Sequence, residues 1–205
     1  MAGSPDRRGE HRLGCYPGSF NPPTVAHLAV AEAALVAGDL DRVDLVVSRS
    51  ALGKADVAVP TLSDRVDVLR QVAATRPWLQ VVVSDHRLVA DLAAGYDAVV
   101  MGADKWRQVK DPSWYGGGRV ARDAAVAGLP LVLVAPRADD DVAEPADVVV
   151  LRLPADHRPV NASAVRSGEA GARSWMLPEA AAFDARTHAW TDPARYRPDH
   201  PVEPG

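Results

Sequence analysis

The sequence has little of what builds disulfides, membrane spans or nucleic-acid surfaces. Its 205 residues include one cysteine, Cys15, so neither a disulfide framework nor a thiolate metal cluster can form within the chain. It has no run of about eighteen apolar residues, and its polar start, MAGSPDRRGEHR, lacks the apolar core of a secretory signal. A formal net charge of −4 gives no general attraction for nucleic acid. We therefore expect a cytoplasmic protein with no nucleic-acid or membrane partner, in which any phosphate site is local.

What the sequence does have is short apolar runs that alternate with alanine-rich segments. The hydrophobic fraction of 47% is enough for a substantial core. Because the runs are continuously apolar, both faces of each predicted strand should be buried, which is typical of a parallel sheet between helices. The predicted strands are Leu13–Tyr16, Val43–Val47, Val81–Val83, Ala98–Met101, Leu131–Val134 and Val148–Leu151, and the clearest helices are His27–Ala37, Leu62–Ala74 and Arg119–Ala127.

This order predicts an α/β fold with a doubly wound parallel sheet, formed by a single domain over residues 12–190. We expect residues 1–11 to be a disordered N-terminal tail. Residues 191–205, TDPARYRPDHPVEPG, are rich in proline and charge, and we expect a disordered C-terminal tail there as well. In a doubly wound sheet the ligand lies at the carboxyl ends of the strands.

The loop after the first predicted strand has the features of an anion site. Gly18, Pro22 and Pro23 shape a turn before a helix that should start near His27, and the first amides of a helix attract anions. Thr24 and His27 add a hydroxyl and an imidazole three residues apart. The loop contains neither G-x-G-x-x-G nor G-K-[ST], so it is neither a dinucleotide fingerprint nor a P-loop. It predicts a different kind of polyphosphate site.

The segment GSFNPPTVAH, residues 18–27, resembles the (H/T)-x-G-H signature of the nucleotidyltransferase-like superfamily. The resemblance is closest to nicotinamide or nicotinate mononucleotide adenylyltransferases, whose sheet is of the Rossmann-like nucleotidyltransferase type. Ala26 stands where that signature usually has glycine. Within the same segment, the resemblance implies that Gly18, Ser19 and Phe20 bind the nucleotide.

Further motifs of the same adenylyltransferases follow in order along the chain. Gly102-Ala103-Asp104 is similar to their Gly-Ala-Asp, and Pro112 with Trp114 resembles the loop that covers the pyridine ring. Residues 160–166, VNASAVR, resemble the I-S-S-T-x-I-R signature, with Ser163 and Arg166 at the threonine and arginine positions and with Asn161 and Ala162 replacing the serines. Lys54 occupies the region of a basic residue that faces the acceptor phosphate.

The resemblance implies transfer of AMP from ATP to a pyridine mononucleotide in NAD biosynthesis, with release of pyrophosphate. It implies contacts of His27 and Thr24 with the α- and β-phosphates, and of Arg166 and Ser163 with the β- and γ-phosphates. Gly102 and Asp104 would bind the nucleotide, and Lys54 and Trp114 the acceptor. Mg²⁺ would accompany ATP without a dedicated protein ligand.

Several alternatives remain open from the sequence. The acceptor could instead be phosphopantetheine or an alcohol phosphate, served by another adenylyl- or cytidylyltransferase of the same fold. Ala26, Asn161 and Ala162 would also suit a non-catalytic protein that binds or senses nucleotides, and the plainest alternative is an α/β scaffold without a site. Neither the choice between amide and acid on the pyridine ring nor assembly into a homo-oligomer is fixed by these residues.

Overall fold

The computed structural model describes residues 11–49, 59–137 and 148–199, and it contains one parallel sheet between helices. The strand order is β3-β2-β1-β4-β5-β6, and every pairing in it is parallel. The strands are β1 (Leu13–Pro17), β2 (Arg42–Ser48), β3 (Leu79–Ser84), β4 (Ala98–Gly102), β5 (Leu131–Ala135) and β6 (Val148–Val150). The helices are α1 (Val25–Gly38), α2 (Leu62–Ala74), α3 (Val89–Leu92), α4 (Ala103–Lys110), α5 (Gly118–Ala127), α6 (Ala162–Ser167) and α7 (Pro178–Thr187).

The predicted doubly wound α/β fold is confirmed by this sheet. The strand order reverses at β1, which lies between β2 and β4, and such a reversal opens a crevice at the carboxyl ends of the strands. Each of the six predicted strands coincides with an observed one, to within two residues at either end. The helix α2 has the predicted bounds, whereas α1 begins at Val25 because Thr24, and not a later residue, is its N-cap.

Both faces of the central strands are buried, as their continuous apolar runs predicted, whereas the edge strands β3 and β6 are partly exposed. In β4, Ala98 and Val100 join the core cluster that includes residues of α1 and α2, whereas Val99 and Met101 join the cluster that includes Trp106 of α4. Successive side chains of a strand point to opposite faces, so these two clusters mark the two helical layers. Within the described residues, no helix combines the length and the apolar character needed to cross a membrane.

The C-terminal segment corrects one prediction from the sequence. Residues 191–199 were expected to be disordered, but they pack against the domain: Pro193–Arg195 forms a 3-10 turn, and the Tyr196 hydroxyl accepts a hydrogen bond of 3.0 Å from the Thr61 amide. That hydroxyl also donates to the buried carboxylate of Asp64. The proline-rich composition excluded a long helix, but it did not exclude an irregular segment held by side chains. The tail predictions for residues 1–10 and 200–205 lie outside the described residues.

Candidate active site

An open cleft of about 400 Å³ lies at the carboxyl ends of β1, β4 and β5, beside the point where the strand order reverses. Parallel strands end at the same edge of a sheet, so three loops distant in sequence meet there. The cleft brings together nine of the residues that the sequence singled out. These are Gly18, Ser19, Phe20, Thr24, His27, Gly102, Asp104, Ser163 and Arg166.

His27 lies in the first turn of α1, and its ring is fixed by the residue that caps the helix. The backbone N–H of Thr24 donates to Nδ1 of His27 at 3.0 Å, and the Thr24 hydroxyl lies 2.8 Å from the same nitrogen. A backbone amide can only donate, so Nδ1 must be the unprotonated nitrogen and the neutral ring carries its proton on Nε2. Thr24, the N-cap of α1, thereby sets the tautomer in which Nε2 of His27 is the N–H donor.

Thr24 and Phe20 hold this imidazole from two sides. Thr24 is completely buried and its hydroxyl is engaged with His27, so it orients the imidazole. The Phe20 ring is 2% exposed and packs edge-on against His27, with 5.2 Å between the ring centroids. A Cβ at Gly18 would come within 2.8 Å of the Phe20 ring, so only glycine lets the loop pass this close.

Arg166 reaches the first loop from α6. Its Nη1 donates to the backbone oxygen of Asn21, and its Nη2 donates to the Ser163 hydroxyl at 3.2 Å. Partial burial lowers the pKa of the guanidinium from its ordinary value, but an arginine keeps its charge at neutral pH. The side-chain oxygen of Asn161 accepts from the Ala164 amide at 2.8 Å. Asn161 therefore caps α6, a function that a serine hydroxyl could also perform.

Gly102 and Asp104 stand where β4 ends and α4 begins. Gly102 is the N-cap of α4, and nothing lies within 4 Å of the place where its Cβ would be, so the backbone is open to the cleft. The Asp104 carboxylate is half-exposed and ion-paired with Arg107 and with Arg137, whose Nε is 2.9 Å away. These two arginines offset its charge at the cleft.

The cleft is locally cationic although the whole chain is acidic. Among the described residues that line it, three arginines and a lysine, namely Lys105, Arg137, Arg158 and Arg166, stand against one aspartate, Asp104. Sequence reasoning missed Arg137 and Arg158, together with Lys105 and His157. For Arg137 a signal existed, since it follows the predicted strand Leu131–Val134 by three residues and the carboxyl ends of neighbouring parallel strands converge. The arrangement suits a polyphosphate.

The phenol of Tyr16 in the cleft wall stays uncharged at neutral pH. Burial raises the pKa of Tyr16, whose side chain lies in the cleft wall, so this phenol is neither a base nor an anion there. Among residues 11–49, 59–137 and 148–199, no three His, Cys, Asp or Glu side chains are grouped as a metal site. Asp104 is the only carboxylate among the described residues that line the cleft.

Trp114 lies outside the main cleft, in a smaller neighbouring pocket. It is 37% exposed and belongs to the 3-10 turn Pro112–Trp114 after α4. Arg87 and Tyr115 line the same pocket, and Lys105 and Gln108 line both the pocket and the cleft. The two cavities are thus neighbours across α4. Lys54, expected to face the acceptor phosphate, lies outside the described residues.

Comparison with known proteins agrees with this geometry. The profile of the cytidylyltransferase-like family matches residues 15–164, which include the motifs of the first loop and most of the residues that line the cleft. A protein of Bordetella avium (strain 197N), described as a probable nicotinate-nucleotide adenylyltransferase, is 30% identical over 199 residues. That match covers 89% of this chain and 99% of the relative.

Two solved structures of Plasmodium falciparum nicotinic acid mononucleotide adenylyltransferase share the fold. The complex with APC superimposes with a TM-score of 0.66 at 12% identity, covering 89% of this chain and 98% of the other. The complex with NaAD gives 0.63 at 13% identity, covering 86% and 96%. At such low identity the likeness establishes the fold.

Proposed function

The chain belongs to the cytidylyltransferase-like family, and we propose that it is a nucleotidyltransferase that moves AMP from ATP to nicotinate mononucleotide in NAD biosynthesis. The reaction forms a dinucleotide and releases pyrophosphate. The observation that carries this proposal is the convergence of the first-loop motif and the α6 motif on one cationic cleft. The match to the Bordetella avium relative along nearly its whole length supports the same reaction.

In this mechanism an oxygen of the acceptor phosphate attacks the α-phosphorus of ATP in line. The bond between that phosphorus and the bridging oxygen to the β-phosphate breaks, and pyrophosphate takes the electron pair. His27, with its Nε2 proton set by Thr24, donates to α-phosphate oxygens as charge develops there. The attacking phosphate is already ionised, so no general base is required.

Arg166 and Ser163 take the β- and γ-phosphates, because a guanidinium can bind two phosphate oxygens in its plane and stabilise the departing pyrophosphate. Gly102 leaves space for the nucleotide. Asp104 binds ribose hydroxyls while its carboxylate stays ion-paired with Arg137. Gly18, Ser19 and Phe20 shape the phosphate loop. Lys54 remains proposed for the acceptor phosphate.

Magnesium enters this proposal as part of the substrate MgATP. Among the described residues, the cleft offers one carboxylate, Asp104, which is already paired with two arginines and is a poor resident ligand. Mg²⁺ binds phosphate oxygens readily and retains water, so the triphosphate itself suits the ion better than these side chains do. Its chemistry there is to neutralise charge on the phosphates.

The smaller pocket supports an acid as the acceptor's ring substituent. Trp114 offers a flat indole on which a pyridine can stack, and Arg87 and Lys105 border the same pocket. A carboxylate gains from two nearby cations, whereas a carboxamide does not. We therefore place the pyridine against Trp114 and assign the preference for nicotinate to the positive charge of Arg87 and Lys105.

A cytoplasmic location and assembly as a homo-oligomer belong to the same proposal.

The test is pyrophosphate release with MgATP and, separately, nicotinate mononucleotide, nicotinamide mononucleotide and phosphopantetheine. We expect kcat/KM to be at least about tenfold higher for the acid than for the amide, which corresponds to about 1.4 kcal/mol. Arg87→Gln should reduce the rate with the acid and leave that with the amide unchanged. Equal use of both pyridine nucleotides would contradict the assigned specificity. Binding of ATP without release from any acceptor would favour a sensing protein.

A further inference from the structure

One buried residue of the first loop, Asn21, contacts two residues of the C-terminal part of the chain. The indole N–H of Trp190 donates to the side-chain oxygen of Asn21, and Nη1 of Arg166 donates to the backbone oxygen of Asn21. Asn21 is 4% exposed and Trp190 is fully buried. One residue of the loop is therefore shared by an arginine of the cleft and by a tryptophan far along the chain.

Trp190 is itself held rigidly. Its backbone N–H donates to Oδ1 of Asp184 at 2.8 Å, and the Thr191 hydroxyl donates to Oδ2 of the same carboxylate at 2.6 Å. Its ring packs against Phe183, with 5.5 Å between centroids. Asp184 is fully buried, so these hydrogen bonds satisfy a carboxylate that would be costly to leave unpaired. The indole therefore presents its N–H from a fixed place.

The hydrogen bond from Trp190 to the Asn21 side chain matters to the cleft because the backbone carbonyl of the same residue binds Arg166. A buried amide oxygen without a donor is unfavourable, so the indole N–H fixes the orientation of the Asn21 side chain and of the peptide that carries it. That peptide's carbonyl anchors Nη1 of Arg166, while Nη2 reaches Ser163. Nη1 also donates to the Ala162 carbonyl of α6 at 3.2 Å, so the Asn21 carbonyl is the contact that ties the guanidinium to the first loop.

We propose that Trp190 is a positioning residue: its indole N–H, acting through Asn21, aims the Arg166 guanidinium at the triphosphate. The inference rests on the proposed function to the extent that Arg166 binds the β- and γ-phosphates of ATP. Trp190 is not among the residues that line the cleft. Its effect should appear in the binding of ATP and should require Arg166.

The experiment compares two substitutions of the same kind in buried tryptophans. Trp190→Phe removes the indole N–H that Asn21 accepts and keeps an aromatic ring. Trp106→Phe is the matched control, because Trp106 is 5% exposed and its indole N–H has no hydrogen-bond partner among the described residues. Binding of ATP is measured by titration calorimetry, in the absence of any acceptor.

We expect Trp190→Phe to raise the Kd for ATP about five- to tenfold, the usual effect of one hydrogen bond, and Trp106→Phe to change it less than about twofold. In the Arg166→Ala background, Trp190→Phe should have no further effect on that Kd. This dependence on Arg166 is what a merely structural contact would not produce. An equal loss with and without Arg166, or an equal loss in the two Trp→Phe variants, would overturn the inference.

Circular dichroism and thermal unfolding show whether Trp190→Phe folds. If it does not, Asn21→Leu removes the same hydrogen bond from the other partner and keeps the backbone carbonyl, and the same dependence on Arg166 is expected. Failure of the proposed reaction is separate: a wild-type protein that binds ATP with this pattern but uses no pyridine nucleotide would leave the inference standing. A wild-type protein that does not bind ATP would overturn both.

Discussion

The two sides of the site are held in different ways. We call residues 18–27 with Arg166 the loop side, and residues 102–115 the α4 side. On the loop side, local contacts such as that of Thr24 with His27 are joined by contacts from distant parts of the chain. Arg65 donates to the Ser19 carbonyl at 3.1 Å, and the Leu177 amide donates to the Pro23 carbonyl at 3.1 Å. The Trp190 contact with Asn21 spans 169 positions.

On the α4 side, most contacts are local. Nζ of Lys105 donates to Gln108 at 2.6 Å, and the Tyr115 hydroxyl donates to the Val109 carbonyl at 2.8 Å. The main exception is the ion pair of Asp104 with Arg137. Both side chains are half-exposed, and such ion pairs contribute little to stability. In the proposed reaction the loop side would thus be preorganised for the phosphates, which every reaction of this class shares, whereas the α4 side would adapt to its ligand.

His27→Ala tests the loop side and has the largest expected effect. It removes a donor that the cap of α1 holds ready, and loss of one preorganised donor of this kind costs about 10²- to 10³-fold in kcat, or roughly 2.7–4 kcal/mol. KM for the acceptor should change little. The measurement is steady-state pyrophosphate release with MgATP and nicotinate mononucleotide.

The matched control for that substitution is His188→Asn. His188 ends α7 with a φ of 59°, a conformation that asparagine tolerates, and it is not among the residues that line the cleft. Its turnover should equal that of the wild type. If His27→Ala retained full turnover, the preorganised loop would have no catalytic donor at this position and the contrast between the two sides would fail.

Trp114→Ala tests the α4 side, where we expect specificity to change and the rate much less. Loss of stacking on the pyridine should raise KM for the acceptor about tenfold, since stacking of this kind contributes roughly 1–3 kcal/mol, and kcat should remain within about threefold. Trp114→Phe keeps a flat ring and should restore most of the affinity. A fall in kcat with unchanged KM would place Trp114 with the catalytic groups.

The same contrast explains how far the sequence alone could predict the site. The strands, α1, α2 and α5 were predicted because apolar spacing is a local property of the chain. Residues 103–110, ADKWRQVK, were not predicted as a helix because few apolar residues mark its period. The indole of Trp190 could not be assigned to Asn21, since no local pattern relates residues so far apart.

The smallest expected effect is on the free energy of unfolding, and it compares two tyrosines, Tyr196 and Tyr115. Tyr196→Phe removes the donor to the buried carboxylate of Asp64, whose Oδ1 has no hydrogen-bond partner among the described residues, and it also removes the acceptor for the Thr61 amide. We expect a loss of about 1–3 kcal/mol in the free energy of unfolding, because the Thr61 amide loses its acceptor and Oδ2 of Asp64 keeps only the Asp199 amide as a donor. Tyr115→Phe removes one local hydrogen bond, to the Val109 carbonyl, and should cost about 0.5–1.5 kcal/mol. Urea unfolding of both variants measures the difference, and equal losses would mean that the C-terminal segment is held no more firmly than the turn after α4.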